Sequence, residues 1–387
     1  MGDQIYRYRA QAAVVPLSTL SFILNSIVRF FVPATLPFIV ASMRIDLFRG
    51  SLLITAYWIG YTAFQIPGGF LSDLYGTATI NKISLFLLAA LFALLYFSIE
   101  DYTAVFLIQL FMGSVSAVIY ISDAALVQKW NAREKRSAAL GVYQSGFFVG
   151  ASFGEYFAIS SYIVSKSLPF LILIPILLIA ASMNALLMRD PELTDRKISI
   201  SKKVVFPAVL RFSAGFAYIG FLAMFSSILS YKFHVPEDSI FLYSWVPAVL
   251  GIFSSPLGGF ASARMKNGRL ILAVFPVIAI SIAMLVIIDV NFWPAILISS
   301  SLGFFYGIYA GPSMSMASDV SASDASISSS SSILNLSSQA GGMISPAIMG
   351  YAYSASDSFG TGILAICIVS TALALLSAFY LKRSGIT

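Results

Sequence analysis

Between Ala12 and Ser42 the chain carries one charged residue, Arg29, in an otherwise apolar or small-residue stretch. A helix that crosses a bilayer needs about 20 such residues, and a signal-peptide core is much shorter, so this stretch reads as a retained membrane span. The pattern recurs along the chain. Of 387 residues, 58% are hydrophobic and 10% charged, against about 45–50% and 25% in soluble domains. A soluble enzyme built on one large core is excluded. One cysteine, Cys367, rules out an internal disulfide, and one histidine, His234, argues against a protein-built zinc or copper site. No cofactor is expected. The net charge of +6 does not by itself point to nucleic acid, and none is expected as a partner.

Apolar segments fall at roughly 14–42, 51–72, 81–99, 103–128, 138–163, 168–188, 205–231, 241–263, 270–289, 294–318, 326–352 and 360–381. Twelve spans place both termini on one side. Arg44, Arg49, Lys166 and Lys232 then fall on the opposite side, and Arg29 and Arg211 lie within or at the ends of spans. All other basic residues gather on the side of the termini. By the positive-inside rule that side is cytoplasmic, and the expected location is the cell membrane.

The longest charged stretch, Arg189 to Lys203, divides the chain into residues 1–188, a linker at 189–204, and residues 205–387. The two long segments share local matches. Gly68-Gly69-Phe70-Leu71-Ser72 aligns with Gly258-Gly259-Phe260-Ala261-Ser262, at the same end of the second span of each half. Gln144 and Gly146 in span five align with Gln339 and Gly341 in span eleven. Agreement of position within each half points to two six-span repeats.

Gly69-Phe-Leu-Ser-Asp73-Leu-Tyr-Gly76, between spans two and three, resembles the signature loop of the major facilitator superfamily. Gly60-Tyr61, Gln65-Ile66-Pro67 and Gly68-Gly69 resemble the second-span pattern of its organic-anion branches. Trp130 through Arg136, followed by Ala138 and Gly141, is similar to the usual lead-in to span five. Gly341-Gly342, Pro346 and Gly350 resemble the family's span eleven. The resemblance implies an all-α integral membrane protein. Its twelve transmembrane helices would form two pseudo-symmetric six-helix bundles around a central cavity opening alternately to each side. A gate is implied around Asp73, with Gly69, Gly76, Lys82, Asp123 and Arg133. Departures are visible: Thr77 and Ala78 stand where a basic residue is usual, with Lys82 a turn later to compensate, and Ala263 replaces the aspartate in the second copy. Gln109 and Ser116 occupy span-four positions where relatives often carry arginine and a carboxylate.

Charged groups at bilayer depth are costly and mark functional candidates. Arg29 sits mid-span, one turn from Asn25, and eight residues before Pro37; this resembles the substrate-binding arginine of organophosphate and organic-anion facilitators. A guanidinium offers a fixed fork of donors suited to a carboxylate or phosphate. The competing reading is a structural pair with a buried acid. Glu155 shares a helical face with Gln144 and Phe148, and is either a protonatable coupling group or a structural hydrogen-bond partner. Ser328, Ser332, Asn335 and Gln339 form a polar stripe on span eleven, and Tyr218 marks the middle of span seven.

No GxxxxGK[ST] phosphate loop occurs, so the chain does not bind ATP by that motif. The leading expectation is a monomeric, non-enzymatic secondary transporter of a small organic anion, a carboxylate first, with a proton as candidate co-substrate and Arg29, Asn25, Tyr218, Asn335, Gln339 and Gln144 around the solute. The alternatives are an exporter of amphipathic or cationic compounds with Glu155 as counter-ion, and a non-transporting sensor on the same fold.

Overall fold

The computed structural model describes residues 2–131, 133–189, 202–264, 268–320 and 327–383, and every regular element among them is helical. The first half of the chain forms α1 (Gly2–Met43), α2 (Leu47–Ala63), α3 (Gln65–Tyr75), α4 (Thr77–Ser98), α5 (Tyr102–Trp130), α6 (Arg133–Val164) and α7 (Leu168–Leu187). In the second half a short 3-10 turn leads into α8 (Val205–Ala214), a π-helical turn (Gly215–Ile219) and α9 (Gly220–Tyr231). A second 3-10 segment (Glu237–Leu242) precedes α10 (Val246–Val249) and α11 (Gly251–Arg264). The chain ends in α12 (Gly268–Asp289), α13 (Phe292–Val320), α14 (Ile327–Ser356) and α15 (Gly360–Arg383).

Ten stretches among the described residues are long and apolar enough to cross a membrane. Two of the twelve expected spans are not among them. The segment expected at 51–72 is two helices, parted at Phe64. Pro67 explains the break: it has no N–H to give the carbonyl of residue 63, but is tolerated in the first turn of a new helix. The segment expected at 326–352 is the continuous helix α14, whose serines, Asn335 and Gln339 lower its apolarity. Spans seven and eight also depart from single α-helices. Pro247 opens α10 near its first position, and the chain turns at Leu250 before α11 resumes.

Side-chain caps fix two helix starts. Asp46 accepts from the Arg49 amide at 2.7 Å, and Asp101 from the Thr103 and Ala104 amides at 2.9 and 3.1 Å, satisfying donors that a helix start leaves orphaned.

Both repeat matches appear as equivalent helix crossings. Gly68 of α3 lies against Val118 of α5, and Gly258 of α11 against the Ile308 carbonyl of α13. Gly146 of α6 faces the Thr19 carbonyl of α1, and Gly341 of α14 faces the Phe212 carbonyl of α8. A very tight crossing joins α2 to α5, where a Cβ on Gly60 would overlap the Leu110 carbonyl and one on Gly113 the Tyr57 carbonyl. Small residues at such contacts let backbones touch, which is the main source of helix cohesion in lipid.

The two halves of the chain meet along α2 and α14, where the Phe48 amide donates to Ser354 Oγ at 3.1 Å and Phe48 packs edge-on to Tyr351. They also meet at α6, which packs on the 3-10 segment 237–242, α10 and α11.

Candidate substrate site

Helices α1 and α5 run antiparallel and press two polar stripes together. On α1 the stripe is Ser18, Phe22, Asn25, Arg29; on α5 it is Asp123, Tyr120, Ser116, Gln109, all at helical spacing. Phe22 packs 5.4 Å from the Tyr120 ring, and Asn25 Nδ2 donates to the Ser116 carbonyl at 3.1 Å. One turn from Ser116, Gly113 faces the Tyr57 backbone of α2, and α2 carries Tyr57, Trp58 and Tyr61 to the Arg29 guanidinium. Because Gly113 has no side chain, α2 approaches closely enough to surround the guanidinium.

Arg29 is 3% exposed, and its cage is aromatic. Nε donates to the Tyr57 hydroxyl at 3.3 Å. The guanidinium carbon lies 4.7 Å from the Tyr61 ring, 5.4 Å from Trp58, 5.9 Å from Phe147 and 6.0 Å from Phe22. Ring faces attract a desolvated cation without neutralising it. Among the described residues no carboxylate lies within ion-pair distance of Arg29, and its Nη2 is buried without a hydrogen-bond partner. A buried charge lacking a counter-ion is costly, so this site favours an anion presented to the free edge of the fork. Asn25 Oδ1, Ser116 Oγ and the Tyr61 hydroxyl are likewise buried and unpartnered.

The other expected solute residues are distributed over both halves. Tyr218 occupies the π-helical turn, donates to the Pro247 carbonyl at 3.0 Å, and stacks on Tyr306 at 4.1 Å. Asn335 donates to Gln65 Oε1 at 3.4 Å across the two halves, and Gln339 Nε2 reaches Asn335 Oδ1 at 3.5 Å. Gln144 Nε2 donates to the Tyr120 hydroxyl at 3.0 Å, joining the α5 stripe. Ser328 lies outside the described side chains. Glu155 is 1% exposed, and neither carboxylate oxygen has a hydrogen-bond partner.

The expected gate is partly described. The side chains of Asp73 and Arg133 lie outside the described ones, as does the linker from 190 to 201. Gly76 ends α3 at φ 94°, a left-handed conformation that glycine adopts without steric cost. Gly69 lies within α3, and a Cβ there would meet nothing within 4 Å; the close approach to α5 belongs to its neighbour Gly68. Asp123 is fully buried and accepts from Asn81 of α4 at 3.0 Å. Lys82 is half-buried on α4.

Two buried residues, Arg211 and Tyr306, are not among the leading solute-binding candidates read from the sequence. Arg211, placed near a span end by position alone, is buried on α8; it donates from Nε to the Leu334 carbonyl at 2.9 Å and from Nη1 to Ser313 Oγ at 2.7 Å. Tyr306 lies between the two arginines, within electrostatic reach of both. An aromatic chain joins them: Phe147 packs on Phe148 at 5.1 Å, Phe148 on Tyr306 at 6.4 Å and Tyr306 on Tyr309 at 5.5 Å, with Arg211 5.8 Å from the Tyr309 ring. In a chain with 32 phenylalanines and 19 tyrosines, nothing in spacing alone singles these out.

The described residues are helical throughout their regular elements, and none of their carboxylates lies within ion-pair distance of the buried Arg29. Residues 18–329 match the Major Facilitator Superfamily, and the chain belongs to that family. It is 23% identical over 266 residues to a hexuronate transporter of Bacillus subtilis (strain 168), a match covering 63% of this chain and 62% of that one. The chain thus spans less than two thirds of that relative's length. Two crystal structures of a bacterial homologue of the human lysosomal transporter Spinster share the fold. The inward-facing unoccupied form gives a TM-score of 0.74 at 15% identity, covering 97% of each chain. The inward-facing occupied form gives 0.75 at 14% identity, covering 98% of this chain and 97% of that one.

Proposed function

We propose that this protein carries a small organic anion with one dominant carboxylate across the cell membrane by alternating access. The observation that carries the reading is Arg29: a buried, permanently charged fork with no carboxylate in ion-pair reach among the described residues and a free Nη2 edge. Its aromatic cage holds the guanidinium in one orientation, so a carboxylate arriving there replaces lost hydration with a charge-assisted hydrogen bond. Asn25, Gln144, Tyr218, Asn335 and Gln339 would supply polar contacts for the remainder of the solute. Similarity to a hexuronate transporter makes a sugar acid the first solute to test.

In this reading the ten apolar stretches, together with segments 47–75 and 327–356, make twelve spans. Residues 1–188 and 205–387 form two pseudo-symmetric six-helix bundles joined by 189–204, and both termini are cytoplasmic. The chain works as a monomer, with Asp73, Gly69, Gly76, Lys82, Asp123 and Arg133 as the gate. Glu155 carries the coupling: its charge is neutralised during the cycle by a co-transported cation, of which a proton is the simplest.

Purified protein in liposomes, offered labelled hexuronates and a panel of other carboxylates, tests the proposal. Saturable uptake that unlabelled carboxylates compete away, and that Arg29→Ala abolishes, is the expected result. Normal anion flux through a folded Arg29→Ala protein would refute it and favour export of cations with Glu155 as counter-ion.

A further inference from the structure

Glu155 is one of several buried, unpartnered oxygen groups on segments where the two halves of the chain meet. Helix α6 turns Phe148, Ser152 and Glu155 to one face. Tyr156, next to Glu155, packs on Phe241 at 5.3 Å, and Phe148, two turns earlier, abuts Gly251. The chain between Phe241 and Gly251 therefore runs along this stretch of α6, and its Ser244 and Pro247 are buried. The Tyr218 hydroxyl hydrogen-bonds the Pro247 carbonyl of this segment and lies within electrostatic reach of Glu155.

On these facing segments both carboxylate oxygens of Glu155 and the hydroxyls of Ser152 and Ser244 are buried without a hydrogen-bond partner. The Pro247 carbonyl and the Tyr218 phenol add two further oxygens. Every potential ligand is oxygen, one carries a charge, and no basic group among the described residues acts on Glu155. A lone proton would occupy one carboxylate oxygen and leave the hydroxyls as they are. Oxygen-only sets suit hard cations, and a single carboxylate balances one positive charge, which disfavours divalent ions. No cluster of three acidic, histidine or cysteine side chains is found among the described residues.

We infer that Glu155, Ser152, Ser244, Tyr218 and the Pro247 carbonyl form a binding site for a monovalent metal cation of sodium type, and that this ion is the co-substrate. The inference rests on the coupling role proposed for Glu155. Because Ser152 and Glu155 come from the first half and the other ligands from the second, ion occupancy would draw α6 onto α10 and stabilise one arrangement of the two halves.

The test begins with wild-type protein in detergent at fixed pH and ionic strength, heated in sodium, potassium or choline chloride. A saturable rise in Tm specific to sodium is expected, because ligand binding to the folded state raises stability. The rise should vanish in Glu155→Gln and weaken in Ser244→Ala. In liposomes at equal pH, an inward sodium gradient should accumulate the anion. Equal Tm in all three salts overturns the inference without use of any variant. Anion accumulation driven by a pH gradient and indifferent to sodium also overturns it, assigning the coupling to a proton. Failure of the anion reading itself looks different: in Arg29→Ala the sodium-dependent rise in Tm persists whether or not the anion binds.

Discussion

The guanidinium of Arg29 lies 4.7 Å from the centre of the Tyr61 ring while its Nε donates to the hydroxyl of Tyr57, one helical turn earlier on the same helix. Helix α2 thus sets both the orientation of the cation and which edge of it stays free.

This geometry separates three variants. Arg29→Lys retains the charge but loses the planar fork, so anion affinity should fall. Arg29→Ala should cost about 2–5 kcal/mol of binding, the range for a desolvated charge pair losing one partner. Tyr57→Phe removes one hydrogen bond and should cost about 1 kcal/mol. Titration of purified protein with the carboxylate identified by uptake ranks them, and an unchanged affinity in Arg29→Lys would remove the need for a fork.

Arg211 differs because its donors are already engaged with Leu334 and Ser313. Arg211→Met should therefore destabilise the fold by about 1–3 kcal/mol through the carbonyl and hydroxyl left behind. Thermal unfolding measures this loss. A variant with wild-type Tm but lost anion binding would reassign Arg211 to the solute.

Glycine substitutions should divide sharply. Gly113→Ala forces a methyl into the Tyr57 carbonyl, and overpacking of this kind costs about 3 kcal/mol or prevents folding. Gly69→Ala meets open space and should stay within about 0.5 kcal/mol of wild type. Detergent-solubilised yield and Tm distinguish them. A folding defect in Gly69→Ala would show a contact absent from this arrangement.

Asp73→Asn tests the gate. Removing the charge should slow anion flux far more than it weakens anion binding, because the loop acts on interconversion and not on the solute. Flux equal to wild type would exclude a gating role.

Much of this architecture is legible in the residue order. The uninterrupted first span, the cation within it and the paired glycine motifs each have a local cause, and the repeat pairs Gly68/Gly258 and Gly146/Gly341 reappear as helix crossings. The aromatic cage does not. Tyr57, Tyr61 and Phe147 reach Arg29 only after α2 and α6 pack on α1, and helices apolar on all sides give no periodicity that marks the inward face. Gly68 and Gly69 show a related limit: two adjacent glycines look alike in sequence, and only packing distinguishes the one that touches α5. The breaks at Phe64 and Leu250 were foreshadowed by Pro67 and Pro247, but membrane helices also tolerate proline without breaking.

The π-helical turn at Gly215–Ile219 stores one surplus residue inside an otherwise regular rod. Winding the same residues as unbroken α-helix would slip the angular phase of the two sides by about 100°, the rotation of one α-helical residue. Tyr218 would then aim away from Pro247, or Arg211 away from Leu334; the two contacts could not both survive. The extra residue is what lets a single rod present a phenol and a guanidinium in directions that an unbroken helix would make mutually exclusive.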